Sequence, residues 1–345
     1  VLRITLQKTM KVANSSCLLG SLCFGLMSFL ASCTNNAQGL PACAIEATDI
    51  YPTKRALLAF QACRGTKAEC DTSNNFEVWL AESDDLQAWS LVPNWTPFDM
   101  PGVDFVSRAD VLYFYGEPGI YRTLDMELGG LSCAQSLDLL ADDGSSITDA
   151  IYEIRPQVRP SDNRIVLSYM PKDGAAASDP RTCTTLPCTR AIRTAVETAS
   201  GLGARFLTSE GERLSLTLTV ESSWAFNTDW ITGSDLNGYI LTVSRSESSF
   251  QIYAASTLEG SYTSLGLVND KGASPAFAFD GENYWFFADS VDEETPQNRV
   301  IKIYGSSSLS GLTSASLHHI FEGLDFSDAG TNPIQVKEAS VLLLE

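Results

Sequence analysis

The feature that most constrains the fold is a hairpin-based unit that the chain repeats. Its clearest copy spans residues 272–309. An apolar run (275–279) and an aromatic run (283–288) flank Asp280-Gly281, and a third run (300–304) alternates apolar with polar before Ser306-Ser307-Ser308-Leu309. Asp-Gly between two β-prone runs is a strong hairpin signal, because a two-residue type I′ turn needs φ > 0 at both central positions. The unit therefore predicts three to four antiparallel strands in about forty residues.

Fainter copies fill the chain. Turn residues at 52–54, 108–110, 160–163, 237–238 and 337–338 each lie between apolar or aromatic runs, including a C-terminal pair at 333–336 and 340–344. Successive turns are about 45 to 75 residues apart, the size of a propeller blade. A helix is expected only locally, around residues 191–200. A second phrase recurs behind the hairpins: a third strand, a Ser or Asp turn, a Leu, then a large apolar residue. Ser83-Asp84-Asp85-Leu86 precedes Trp89, Ser256-Thr257-Leu258 precedes Tyr262, and Ser306 to Leu309 precede Leu312. The turn side chain is expected to cap its own backbone, and the apolar residue to pack between blades.

Composition excludes several chemistries. A chain of 345 residues can bury one large all-β core. Its two histidines, His318 and His319, are neighbours, which disfavours a His-based zinc site and a Ser-His-Asp triad. They are expected on an outer strand, in solvent. Net charge is −19, and residues 1–32 hold three bases and no acid, so the remainder carries −22. A surface of that sign with no basic patch predicts no nucleic-acid partner.

The first residues read as a targeting segment. Arg3, Lys8 and Lys11 precede an apolar run (17–30) that ends in Leu30-Ala31-Ser32-Cys33, too short to span a bilayer. Those four residues resemble the bacterial lipobox. The expectation is a signal peptide (1–32), a lipidated Cys33 with a tether to residue 44, and a folded region over 45–345. Lipid-bearing Cys33 would anchor the protein in the cell envelope, and Thr34 in place of an Asp favours the outer membrane. Six further cysteines in an oxidising compartment predict three disulfides. Spacing pairs Cys63 with Cys70 and Cys183 with Cys188, which leaves Cys43 with Cys133.

The phrase Ser83-Asp84-Asp85-Leu86-Gln87-Ala88-Trp89 resembles the blade-closing motif of the five-bladed β-propellers of glycoside hydrolase family 43 and its relatives, among them arabinanases, xylosidases and the levansucrase-invertase group. The resemblance implies an all-β, five-bladed β-propeller. The C-terminal hairpin is expected to close the ring against the blade that contains Ala56 to Phe60. Sialidase Asp boxes are similar in form but want Gly where Leu86 stands, so a six-bladed, sialidase-like ring, with that hairpin as its own blade, is the alternative.

The resemblance also implies a site. In such propellers the first strand of each blade lines the central channel, and its start faces the substrate. Several first strands here open with x-Pro: Met100-Pro101, Arg155-Pro156, Ser274-Pro275 and Asn332-Pro333, with Asp229-Trp230 at the equivalent place. The family often carries Asp before that Pro. Only Asp229 matches, while Asp104 and Glu153 lie within a few residues of theirs. The candidate catalytic set is Asp104, Glu153 and Asp229, two of which must flank a scissile bond about 5 to 9.5 Å apart. Arg155, Trp224, Trp230 and Asn332 are the candidate substrate-binding residues. No metal or cofactor is expected, although residues 71–75 loosely resemble a calcium loop that lacks its Gly and distal Glu. The implied partner is carbohydrate, met by a monomer that touches membrane through its lipid only. Two readings follow: glycoside hydrolysis by paired carboxylates, or a non-catalytic surface lipoprotein that holds a glycan or protein.

Overall fold

A computed structural model describes residues 46–344 except 48, 67, 71–75, 148–150, 172–186, 199–201, 210, 219–225, 233–238, 247–248, 270–271, 292–298 and 322–333. The signal peptide, Cys33, its tether, Trp224, Asn332, the 71–75 loop and the Asn237-Gly238 turn lie outside the described residues. The described strands form five sheets. Sheet 1 orders Ile334–Leu343, Ala56–Arg64, Glu77–Ser83 and Trp89–Leu91. Sheet 2 begins with Asp104–Arg108, Val111–Gly116 and Ile120–Asp125, and sheet 3 with Ile151–Arg159, Arg164–Pro171 and Cys188–Glu197. Sheet 4 runs from Phe226–Thr232 to Thr263–Asn269, and sheet 5 from Ala273–Phe279 to Ser316–Phe321.

The first strand of each sheet touches the first strand of the next. Asp104–Arg108 meets Ile151–Arg159, then Phe226–Thr232, Ala273–Phe279 and Ile334–Leu343 follow, and the last returns to Asp104–Arg108. This closed ring of inner strands is a β-propeller.

Each seam between neighbouring sheets holds its own apolar cluster, which explains why strands such as Ala56–Arg64 are buried on both faces. Leu57 and Ala59 face sheet 2, whereas Leu58 and Phe60 face sheet 5. Aromatic rings fill the seams: Phe60 meets Phe321 edge-on at 4.8 Å, Tyr115 meets Phe206 at 5.9 Å, and Phe250 meets Phe277 at 5.8 Å. Each such ring, fully buried, contributes roughly 1.5–3 kcal/mol, so the seams rather than the turns dominate the stability of the ring.

The blade-closing phrase does what its residues suggest. Asp85 Oδ1 accepts the N–H groups of Gln87 and Ala88 at 2.9 and 2.7 Å and the Ser83 hydroxyl at 3.0 Å. Trp89 then packs across the seam on Phe287 at 5.9 Å. Tyr262 enters the cluster shared with Val166 and Met170 of sheet 3, and Leu312 the one shared with Phe250 of sheet 4. Ser308 caps the short 3-10 helix Leu309–Ser314 through the Gly311 N–H.

Four local expectations are corrected. Residues 191–198 are not helical; 191–197 belong to Cys188–Glu197, whose Ile192 and Ala195 are buried in two different seams. Residues 50–51 form no hairpin with 56–60, because the latter strand pairs with the C-terminal one. That C-terminal strand is continuous from Ile334 to Leu343, with Glu338 absorbed in a bulge rather than a turn, so it completes sheet 1 instead of making a sheet of its own. Asp280-Gly281 is no two-residue turn either. Phe279 pairs with Tyr284, only Gly281 has positive φ, and Asp280 Oδ1 accepts Glu282 and Asn283 N–H at 2.9 and 2.8 Å. The two-residue turn with both φ positive is Ala109-Asp110, which has no glycine.

Cys63 and Cys70 are disulfide-bonded, and so is Cys133. Cys43 and Cys183 lie outside the described residues, as does the side chain of Cys188. His319 is exposed on the outermost strand of sheet 5. Among the described residues no helix is long and apolar enough to cross a membrane.

Candidate functional site on the propeller axis

Three inner strands contain a non-glycine residue in the left-handed region: Glu153 at φ 52° and Ser274 at 48° near the strand start, and Glu338 at 50° midway along Ile334–Leu343. Each sits in a bulge, where one strand carries extra backbone against its neighbour. A bulge bends the strand and re-aims side chains, and such φ values cost free energy that recurs at functional sites. In the second sheet the corresponding place is Gly102, at φ +60°, where a Cβ would come within 3.1 Å of Glu117 Cγ.

These bulges gather a charged cluster. Arg155 is its centre: Nη2 donates to Glu153 Oε2 at 3.1 Å, and Nη1 to the Gly102 carbonyl at 3.1 Å. The Glu153 N–H donates to Glu117 Oε1 at 3.1 Å. On the other side Gly102 N–H donates to Glu338 Oε2 at 3.2 Å, and Glu338 N–H to Asp289 Oδ1 at 2.8 Å. Asp104 accepts its neighbouring Phe105 N–H at 2.7 Å and the hydroxyl of Ser340. One connected network thus links sheets 5, 1, 2 and 3 around the axis.

Burial controls its protonation. Asp104 is 4% exposed, and loss of water pushes its carboxyl up to about 6, against the pull of the Arg155 guanidinium and the Ser340 hydroxyl. Asp289 is pushed up to about 7 by burial and then by the neighbouring Glu338 carboxylate, with the Glu338 N–H, Lys337 and Arg299 acting the other way. Both groups can therefore hold a proton near neutrality. Glu153 is 1% exposed and its carboxylate faces Arg155.

Of the sequence-predicted set, the structure brings together Asp104, Glu153 and Arg155. Asp229 and Trp230 lie on the inner strand of sheet 4, opposite Thr242 and Leu241. Glu117, Asp289, Glu338 and Ser340 were not expected. Glu117 follows the strand Val111–Gly116 in Gly-Glu-Pro-Gly, a phrase that reads as an ordinary turn. Glu338 lies where the polar break in a strand reads as a hairpin. Among the described residues no three acidic, Cys or His side chains converge as metal ligands would.

The other end of the axis is open. A cavity of about 1430 Å³ lies among the ends of the inner strands and their hairpin turns. Asp104 forms part of its floor, while Glu117, Glu153, Arg155, Asp289 and Glu338 are not among its lining. The resemblance leads one to expect the hollow at the strand starts; the described hollow is at their ends.

No protein-family model matches the chain, and no curated protein does. Solved structures similar to it include an exo-β-1,3-galactanase from Phanerochaete chrysosporium, 11% identical with a TM-score of 0.43, covering 63% of this chain and 49% of that one. The chain thus spans about half the length of that galactanase. A GH43 endo-arabinanase from Bacillus licheniformis is 13% identical with a TM-score of 0.45, covering 69% and 93%. An α-L-arabinanase from Cellvibrio cellulosa, complexed with arabinohexaose, is 9% identical with a TM-score of 0.42, covering 64% and 76%. Glycoside hydrolase family 43 is the group that the sequence resembles. At these identities the likeness concerns the arrangement of sheets, and the propeller itself rests on the closed strand ring and its five filled seams.

Proposed function

We propose that the chain is an exported, lipid-anchored propeller that binds carbohydrate at the start end of its axis. The observation that carries this reading is the network there that gathers Asp104, Glu153, Asp289 and Glu338, each from a different sheet, with Arg155 answering the first two and Lys337 paired with Glu338. Asp229 stands on the remaining inner strand. Convergent, pre-oriented polar groups on a rigid scaffold are what recognition of a hydroxyl-rich ligand requires. The Cys63–Cys70 disulfide accords with an oxidising compartment, and Leu30-Ala31-Ser32-Cys33 with a lipid anchor there. Binding is preferred to hydrolysis because Glu153 and Asp104 are buried and already bonded within the protein.

One observation favours hydrolysis as the second reading. A carboxyl raised to about 6 is suited to general-acid work, and Asp104 is such a group. In that reading Asp104 gives the proton and Asp229 or Glu153 acts from the opposite side. Calorimetric titration with a panel of oligosaccharides, beside turnover of aryl-glycosides, separates the two. The expected result is binding without turnover, weakened at least tenfold by Asp229→Asn. Turnover abolished by Asp104→Asn establishes hydrolysis instead, and a panel that neither binds nor reacts removes carbohydrate from the account.

A further inference from the structure

The cavity at the strand ends has its own chemistry. Its charged side chains largely cancel or are held by the protein: Arg108 is paired with Glu197, Asp104 accepts from Ser340, and Asp280 accepts the Trp285 indole N–H at 2.7 Å. Arg55 at the rim donates to the Asp280 carbonyl at 3.0 Å. Apart from the exposed Asp110, the remaining polar lining is neutral. Ser107 and Gln157 lie half-buried on two adjacent inner strands, and Asn163 stands exposed at the turn beyond. Between them lie apolar surfaces that a flat, weakly hydrated face can cover, among them half-buried Val158 and the half-buried ring of Phe279.

Hydroxyl and carboxamide groups donate and accept at once, so they match a ligand whose hydroxyls do the same. Apolar faces beside them suit the C–H face of a sugar ring. A charged ligand would gain little, since the lining sets both signs against each other, Arg55 and Arg108 beside Asp104, Asp110 and Asp280. We infer that this cavity is a second binding site for an uncharged oligosaccharide, sharing with the carboxylate cluster only Asp104 in its lining. The volume, about 1430 Å³, exceeds the ordinary range of roughly 300–1,000 Å³ for small-ligand pockets, which calls for several sugar units rather than one. This inference extends the carbohydrate reading but does not depend on the carboxylates.

The test uses the full chain and three neutral probes: arabinohexaose, β-1,3-galactotriose and cellohexaose. Binding is measured by calorimetry for the wild type, for Gln157→Trp, which fills the cavity, and for Asp229→Asn at the other end. Ser107→Trp serves as a second blocking variant, and near-UV circular dichroism confirms that each variant is folded. Two sites in the wild type, one of which Gln157→Trp or Ser107→Trp weakens at least tenfold while Asp229→Asn spares it, support the inference. One site lost only in Asp229→Asn overturns it and leaves the proposed function standing. No binding of any probe overturns both.

Discussion

The two ends of the propeller axis are built from the same five strands and differ in almost every physical respect. At the strand starts, left-handed bulges turn carboxylates inward, and Arg155, Lys337 and a chain of backbone N–H groups answer them. At the strand ends, hairpin turns frame an open hollow whose lining mixes neutral polar groups with charges of both signs. The difference teaches where a ring of sheets places its charge. Buried charge requires partners, so the start end ties its carboxylates into a network of the protein's own groups, whereas the hairpin end frames an open hollow.

The largest expected effect comes from removing the cation at the start end. Arg155→Ala takes from buried Glu153 its ion-pair cation and from Asp104 the charge that draws its pKa down, and urea unfolding is expected to show a loss of about 3–5 kcal/mol. Gln157→Ala, two residues on but at the open end, is expected to change stability by less than about 0.5 kcal/mol. Equal losses from both would erase the distinction between the ends.

Next comes the pH dependence. Asp104 and Asp289 have folded-state values of about 6 and about 7, above the unfolded value near 3.9. The folded protein thus binds more protons than the unfolded one between these limits. The stability they contribute is fully present below pH 4 and is lost as pH rises through about 6 and then about 7. Denaturant midpoints are expected to fall over that window, on the order of a few kcal/mol in all, and Asp289→Asn is expected to flatten the upper part. Asp162 and Asp280, held below the usual carboxylate range by hydrogen bonds, act in the opposite sense and at lower pH. A flat profile from pH 4 to 7 would mean that the start end is wetter than the network requires.

How much of this was legible in the sequence follows the range of each interaction. The blade-closing phrase was readable because Ser83, Asp85, Leu86 and Trp89 act within a few residues of one another, and the Cys63–Cys70 bridge for the same reason. Asp104, Glu153 and Arg155 were found through their nearness to strand openings. Glu338 and Asp289 were not, because what brings them together is the closing of the ring: Gly102 meets Glu338 across 236 positions of sequence. The bulge that turns Glu338 inward looks locally like a hairpin turn, since a polar pair inside an apolar run reads the same in both cases.

The smallest effect belongs to the turns of the open end. Asp280→Ala removes two backbone caps and the Trp285 indole partner, and is expected to cost about 1 kcal/mol with little change at the carboxylate cluster. A much larger loss would show that the turn helps to hold the ring, and that the two ends are not separable.

The most direct measurement is a crystal of the full chain soaked with arabinohexaose. The account expects sugar density on the axis, at the carboxylate end, the hairpin end or both, with Gln157→Trp clearing the latter. Density confined to an outer sheet face, or none at concentrations that saturate binding in solution, would contradict the claim that carbohydrate meets this protein where its inner strands converge.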